Sequence, residues 1–285
     1  MFKFTNMTQS SIEIYHKDNL EVLKNMKSNS IDLVYVDPPF NTGKIQDRKS
    51  LKTIRSNNGD RTGFKGQKYS TKIIGSKSYS DIHEKFLDFL KERIIQTKRI
   101  LKENGSFFLH LDYREIHYAK VMCDEIFGRQ SFINEIIWAY DYGARSKTKW
   151  STKHDNILWY AINPNNFTFR YDDIDRIPYM APELVSPEKV KRGKTPTDCW
   201  WNTIVSPNGK EKTGYPTQKP LAILNRIIKV HSNPGETVLD YFAGSGTTGI
   251  AAINNGRNAI LIDKNPEAIK IMKKRFISSS TKFHN

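Results

Sequence analysis

The sequence predicts an α/β fold with a mostly parallel, twisted sheet, and three features point to it. Apolar runs of strand length alternate with stretches of helical periodicity along most of the 285 residues, the pattern of strands joined by crossover helices. The run Ile31-Asp32-Leu33-Val34-Tyr35-Val36 has the length and β-branched content of a buried strand, and it stops abruptly at Asp37-Pro38-Pro39-Phe40. Near the other end, a strand, a Gly-rich turn, a small-residue helix and a second strand follow one another between Thr237 and Ile262.

Taken in order, a short strand is expected at 11–14 and a helix at 19–26. The strand Ile31–Val36 cannot run on through Asp37-Pro38-Pro39, because each proline lacks an N–H for the ladder. The chain must turn there, presenting an acid, a backbone carbonyl and the Phe40 ring at a strand's carboxyl end. In open α/β sheets ligands bind at that end, and this set suits chemistry on a planar amino group. A bare Asp-Pro-Pro, taken by itself, better fits an ordinary turn with a solvated acid. From Asn41 to Ser80, ten basic residues stand against two acids, with much Gly, Ser and Thr and almost no apolar periodicity. A long mobile basic loop is expected over 41–80.

Apolar positions Phe86, Leu90, Ile94 and Leu101 recur at helical spacing, so a helix is expected over 82–101, with Asn104-Gly105 as its stop. A strand at 106–111, a helix at 113–127 and strands at 132–139 and 157–161 follow. Periodicity then fails between about 141 and 207, where Lys and Arg interleave with Tyr and Trp, including Trp150, Trp200 and Trp201. Such a surface can follow phosphates and touch bases, although Trp200 and Trp201 also fit a local core. Order returns with a helix at 221–230, the strand Thr237–Asp240, a helix at 247–255, a strand at 259–262 and a helix at 267–276, ahead of a short Ser-rich tail.

Composition bounds the function. With 38% hydrophobic and 26% charged residues, the chain has the balance of a globular protein with one substantial core. No apolar stretch approaches a membrane span and no secretory leader is apparent at the N-terminus. Cys123 and Cys199 are too few for a disulfide framework and lack C-x-x-C spacing, so a reducing cytoplasm and no structural metal are expected. The net charge is +15, and the basic excess of 41–80 fits either a polyanion partner or a solvated, solubilising tract; its position directly after the Asp37 turn favours nucleic acid.

Gly244-Ser245-Gly246-Thr247-Thr248-Gly249 has the G-x-G-x-x-G form, and Asp263 ends the next strand 19 residues after Gly244. Such glycines let a backbone approach a ligand, and the acid can accept hydrogen bonds from ribose hydroxyls. Alone, the pattern fits NAD as well as any other adenosine-bearing cofactor. It is not a phosphate loop, because the required Lys is absent.

Together, Asp37-Pro38-Pro39-Phe40 and Phe242-Ala243-Gly244-Ser245-Gly246 resemble the two signatures of amino-group DNA methyltransferases that use S-adenosylmethionine (SAM), D-P-P-[YF] and F-x-G-x-G. The D-P-P-F motif comes first and the SAM motif last, the circularly permuted order of the family's β class. Thr217-Gln218-Lys219-Pro220 and Lys17-Asp18-Asn19-Leu20 match its helper motifs. The string Asp37-Pro38-Pro39-Phe40-Asn41-Thr42-Gly43 is most similar to adenine-N6 enzymes of restriction–modification systems; cytosine-N4 members more often begin with Ser.

The resemblance implies a Rossmann-like SAM-dependent methyltransferase fold with an inserted target-recognition region. Residues 1–140, with the basic loop 41–80, would be the catalytic half, 141–207 the recognition region and 208–285 the SAM-binding half. Asp37, Pro38, Pro39 and Phe40 would be catalytic. Gly244, Ser245 and Gly246 would approach the methionine and ribose of SAM, with Asp240, Phe242 and Ala243 shaping the loop. Asp263 would hold the ribose hydroxyls, Asp18 would lie near the adenine, Thr217 and Lys219 near the methionine end, and Asp37 would also border the cofactor. The expected partner is double-stranded DNA, with a homodimer and a cognate restriction endonuclease implied, in a bacterial or phage-type cytoplasm.

In the implied mechanism, the Asp37 carboxylate and the Pro38 carbonyl accept the two N–H bonds of a flipped-out base, aiming the nitrogen lone pair at the methyl group. One in-line displacement then suffices, and positioning and electrostatics supply most of the rate. Phe40 would stack on the base. The rival readings are a cytosine-N4 enzyme, a catalytically silent DNA-binding module, a dinucleotide-dependent oxidoreductase, and methylation of RNA or a protein amide.

Overall fold

The computed structural model describes residues 10–39, 44–55, 58, 61–62, 67–81, 85–143, 145–206, 209–277 and 280–284. The chain forms two compact units, one of residues 1–38 with 85–285 and the other of residues 39–84. The first contains β1 (Ser11–Tyr15), α1 (Asn19–Asn25) and β2 (Ile31–Val36), and the second contains β3 (Lys44–Arg55), β4 (Arg61–Thr62) and β5 (Lys68–Asp81). Back in the first come α2 (Phe86–Ile100), β6 (Leu101–Leu111), α3 (Ile116–Phe127), β7 (Phe132–Ala139), β8 (His154–Ala161), α4 (Pro187–Arg192) and β9 (Cys199–Trp201). The last elements are α5 (Leu221–His231), β10 (Thr237–Asp240), α6 (Thr247–Asn254), β11 (Asn258–Ile262), α7 (Pro266–Arg275) and β12 (Ser280–His284).

Among the described residues of the first unit, nine strands form one sheet in the order β12-β1-β11-β10-β2-β6-β8-β7-β9. From β12 to β6 every pairing is parallel, and β8 then runs antiparallel between β6 and β7. This is the expected mostly parallel α/β sheet. Period-two alternation sends neighbouring residues to opposite faces. Phe108 stacks on Trp159 at 5.6 Å in the cluster that also holds Leu224 and Ile227 of α5, while Phe107 stacks on Phe127 of α3 at 5.5 Å. The acid inside the buried β2 is satisfied too: Asp32 Oδ1 pairs with Lys102 Nζ at 2.7 Å and Oδ2 accepts from Thr237 N at 3.0 Å.

Three expectations need correction. The segment expected as a mobile loop carries β3 and β5 in a long antiparallel pair, in register from Lys44 opposite Asp81 to Arg55 opposite Tyr69. Backbone ladders need no apolar stripe, and Ile45, Thr53, Ile54, Thr71, Ile73 and Ile74 supply β propensity that the charge excess obscures. Asn104-Gly105 does not stop α2, which ends at Ile100; the pair lies inside β6, near a register shift against β2 between Ile31 and Leu33. The Ser-rich tail contributes β12, which pairs in parallel with β1. Residues 141–207 fall in the first unit and supply β9 beside β7. No helix among the described residues is long and apolar enough to cross a membrane.

Candidate active site

The site follows from strand order. β10 lies beside β2, with Val238 opposite Leu33 and Leu239 opposite Val34. From this pair the chain's connections lead outward in both directions across the sheet, which makes the carboxyl ends of β2 and β10 a topological switch point, the place where open α/β sheets bind ligands. Asp37 follows β2 there, and Asp240 ends β10.

Asp37 is gripped from a distant part of the chain. Its Oδ2 accepts a short charge-assisted hydrogen bond from Lys219 Nζ, and both side chains are mostly buried. Its Oδ1 is also buried but accepts no hydrogen bond among the described residues. The loop that delivers Lys219 is braced from within. Gln218 Oε1 accepts from Thr213 N at 2.8 Å and Nε2 donates to the Glu211 carbonyl at 2.7 Å, while Glu211 Oε2 accepts from Leu221 N, at the start of α5, at 3.0 Å. Thr217 is exposed with φ +56°, a left-handed backbone that a β-branched residue rarely adopts. Pro38 is buried in the same unit, Pro39 belongs to the second unit, and Phe40 lies outside the described residues.

The glycine turn is built by two acids. Asp240 Oδ1 accepts from Phe242 N at 2.9 Å and Oδ2 from Thr248 Oγ1 at 2.5 Å, which locks the turn onto the start of α6. Burial raises the Asp240 carboxyl to about 7 against the lowering pull of these two bonds, and the nearby charges of Asp37 and Asp263 add to the rise. Asp263 Oδ2 accepts from Gly244 N and Oδ1 from Asn265 N, each at 2.8 Å, and burial raises its carboxyl as well. Each oxygen keeps a second lone pair, so the carboxylate can still receive a vicinal pair of hydroxyls, and the turn fits the ribose of SAM on that ground. Ser245 is buried, and its carbonyl accepts from Arg275 Nη1 at 2.8 Å.

The glycines differ in purpose. A Cβ on Gly246 (φ +77°) would meet Met272 Cγ at 2.8 Å, and one on Gly249 would meet Leu261 Cδ1 at 2.7 Å, so these two admit protein packing. A Cβ on Gly244 (φ +50°) would meet Tyr215 Cε1 at 3.0 Å, which places the Tyr215 ring over the turn. Asp18 is the exposed N-cap of α1, accepting from Leu20 N at 2.9 Å, and lies 3.6 Å from Arg93 Nη2. It reaches the turn through neighbours. Arg93 Nε donates to Asn19 Oδ1 at 2.7 Å, and Asn19 Nδ2 donates to the Tyr241 carbonyl at 2.7 Å.

Sequence reasoning missed the polar chain behind Asp37. Tyr35 Oη and His110 Nδ1 are 2.7 Å apart, His110 Nε2 lies 3.4 Å from Asp155 Oδ2, and Tyr140 Oη donates to Asp155 Oδ1 at 3.1 Å. Burial raises the Tyr35 hydroxyl far above its usual range, and the charges of Asp37, Asp240 and Asp155 raise it further. Burial also pushes the Asp155 carboxyl up. The His110 bond and charge, Lys219 and the Tyr140 bond outweigh it and hold that acid below its ordinary range. A histidine inside the apolar run Phe107–Leu111 was the one available signal. The structure thus brings together Asp37, Lys219, Asp240, Asp263 and the glycine turn, with Asp18 one layer out and Thr217 at the surface.

Comparison with known proteins adds independent findings. The family model described as DNA methylase, of the N6/N4 type, matches residues 31–274. The type II methyltransferase M.HpaI of Haemophilus parainfluenzae is 31% identical over 264 residues, covering 93% of this chain and 74% of its own length. The DNA adenine methyltransferase YhdJ of Escherichia coli K12 is 32% identical over 270 residues, covering 92% and 81%. The crystal structure of the M1.HpyAVI–SAM complex superposes with a TM-score of 0.59 at 25% identity, covering 93% of this chain and 98% of that one.

Proposed function

We propose a reaction from one premise: this chain belongs to the N6/N4 DNA methylase family. It is a SAM-dependent DNA methyltransferase that methylates the N6 amino group of adenine, and its relative YhdJ is named a DNA adenine methyltransferase. The observation that carries the site reading is the buried Asp37 Oδ1 at the carboxyl end of β2, which has no hydrogen-bond partner among the described residues while its sibling oxygen pairs with Lys219.

An exocyclic amino group is a weak nucleophile because its lone pair is delocalised into the ring. Asp37 Oδ1 takes one of its N–H bonds and the Pro38 carbonyl the other, so the nitrogen is drawn towards tetrahedral geometry with its lone pair fixed in direction. Lys219 holds the carboxylate in one orientation as the base enters. When bound, SAM supplies the electrophilic methyl group. Asp263 orients its ribose, and Asp240 keeps the glycine turn in shape through Phe242 N and Thr248 Oγ1. The Asp37 carboxylate stabilises the positive charge that develops on nitrogen, and once the methyl group has been transferred that nitrogen gives its proton to solvent.

Pro39 and Phe40 complete the motif in this reading, Phe40 as the stacking partner of the flipped base. Residues 141–207 serve as the target-recognition region between the catalytic and SAM-binding halves. A homodimer, a cognate restriction endonuclease and a bacterial or phage cytoplasmic setting belong to the same proposal, supported by the family resemblance.

The test is methyl transfer from labelled SAM to mixed-sequence duplex DNA, followed by digestion to nucleosides and mass spectrometry. N6-methyladenine is expected. N4-methylcytosine would keep the mechanism and overturn the substrate, and no methylated nucleoside would overturn both.

A further inference from the structure

Five tryptophans occur in the chain, and Trp138, Trp159 and Trp200 are buried, as such large rings usually are. Trp150 is 97% exposed and Trp201 77%. Both stand at one edge of the large sheet. β6 runs parallel to β2, and β8 runs against β6 with Asn156 opposite Leu111. β7 ends at Ala139, which lies opposite His154 of β8 and Trp201 of β9. The connection from Tyr140 to Lys153 therefore leaves the sheet at the edge where Asp37 follows β2. Its root is tied to that strand, since Tyr140 bonds Asp155, and Asp155 reaches Tyr35 through His110.

The turn that carries Trp150 is braced. Tyr140 N donates to the Lys153 carbonyl at 2.9 Å and closes the base of the connection. Ser146 Oγ accepts from Thr148 N and Lys149 N, each at 3.2 Å, and Ser146 N donates to Ser151 Oγ at 2.7 Å. Lys147 and Lys149, just before Trp150 in the same turn, are exposed. A large aromatic ring held out in water next to two exposed lysines in the chain matches a partner that offers both phosphates and stacked rings.

We propose that Trp150 is the wedge of this enzyme: it enters duplex DNA beside the target adenine and fills the stack that the base vacates on flipping, while Lys147 and Lys149 contact the flanking phosphates. This rests on the reading of the chain as a DNA methyltransferase. Flipping loses stacking on both sides of the target base, and an inserted ring restores part of it. A residue that acts this way matters when the target is paired and matters little when it is already unpaired. A residue that merely binds the backbone matters equally in both cases.

The recognition sequence is first mapped by sequencing plasmid DNA methylated by the wild-type enzyme. Oligonucleotide duplexes are then made with the target adenine either paired or mismatched. Trp150→Ala is expected to lower kcat/KM about 10-fold on the paired duplex and by less than about 3-fold on the mismatched one, with Trp150→Phe near wild type on both. SAM binding by calorimetry, unchanged in both variants, shows that they are folded. Equal loss on the two duplexes, no loss on either, or a changed sedimentation coefficient of the free Trp150→Ala protein would each overturn the wedge. The last result would assign the ring to contact between copies of the chain. Absence of any methylation by the wild type would instead overturn the functional reading beneath it.

Discussion

Asp37 answers two demands, one with each oxygen. Oδ2 balances a mostly buried lysine, and Oδ1 accepts no hydrogen bond among the described residues, which leaves it for a donor on the substrate. Asp37→Ala should therefore abolish methyl transfer and also lower stability by about 3 kcal/mol, because it removes the carboxylate that pairs with the mostly buried Lys219. Adding Lys219→Met should restore most of that stability and none of the activity. Urea unfolding and the methylation assay on the single and double variants separate the two roles, and recovered activity in the double variant would remove Asp37 from the chemistry. Asp240 gives a second residue-scale prediction. Its folded carboxyl stands near 7 against about 3.8 unfolded, so the native state binds the extra proton between those values, and the wild type loses stability as pH rises through that window. Relative to Asp240→Asn, the wild type should fall by about 4 kcal/mol in unfolding free energy from pH 4 to pH 8, levelling off above pH 7. A difference that is flat with pH would show that the carboxyl is already ionised throughout.

At the scale of elements, the turn between β10 and α6 is the informative one. Its outline was legible because strand, glycines, helix and a final acid follow at short spacing. What each glycine does was not, because Met272, Phe276 and Tyr215 approach from other parts of the chain. Gly246→Ala combines a left-handed φ with a 2.8 Å contact to Met272, and about 2 kcal/mol of lost stability is expected in urea unfolding. Trimming Met272 should relieve only the contact and leave the backbone strain, so full rescue by that second change would contradict the account. The β3–β5 pair illustrates the opposite limit. Charge and polarity dominate residues 41–80, and a ladder made of backbone hydrogen bonds leaves little trace in side-chain periodicity.

At the scale of the whole molecule, a net charge of +15 should make DNA binding strongly salt-dependent. Affinity for a labelled duplex, read by fluorescence anisotropy, should fall at least about 10-fold between 50 and 200 mM NaCl if several phosphates are contacted. Replacing residues 44–81, which lie within a compact unit of their own, with a short Gly/Ser linker should leave SAM affinity unchanged and flatten the salt slope. An unchanged slope would assign the phosphate contacts to the rest of the chain.

The sequence by itself determined the α/β class, most strand and helix positions, both signature motifs and the family, because these depend on local periodicity and on short strings whose chemistry is contained in consecutive residues. Only the tertiary structure decided what surrounds Asp37. Lys219 lies 182 positions away, and Tyr35, His110 and Asp155 come from three strands that become neighbours only through the order β2-β6-β8. Strand order joins residues far apart in the chain, and no local pattern records which of two buried polar side chains will meet. The exposure of Trp150 belongs to the same class, since a ring in a basic, irregular stretch looks the same in sequence whether it ends in the core or in water.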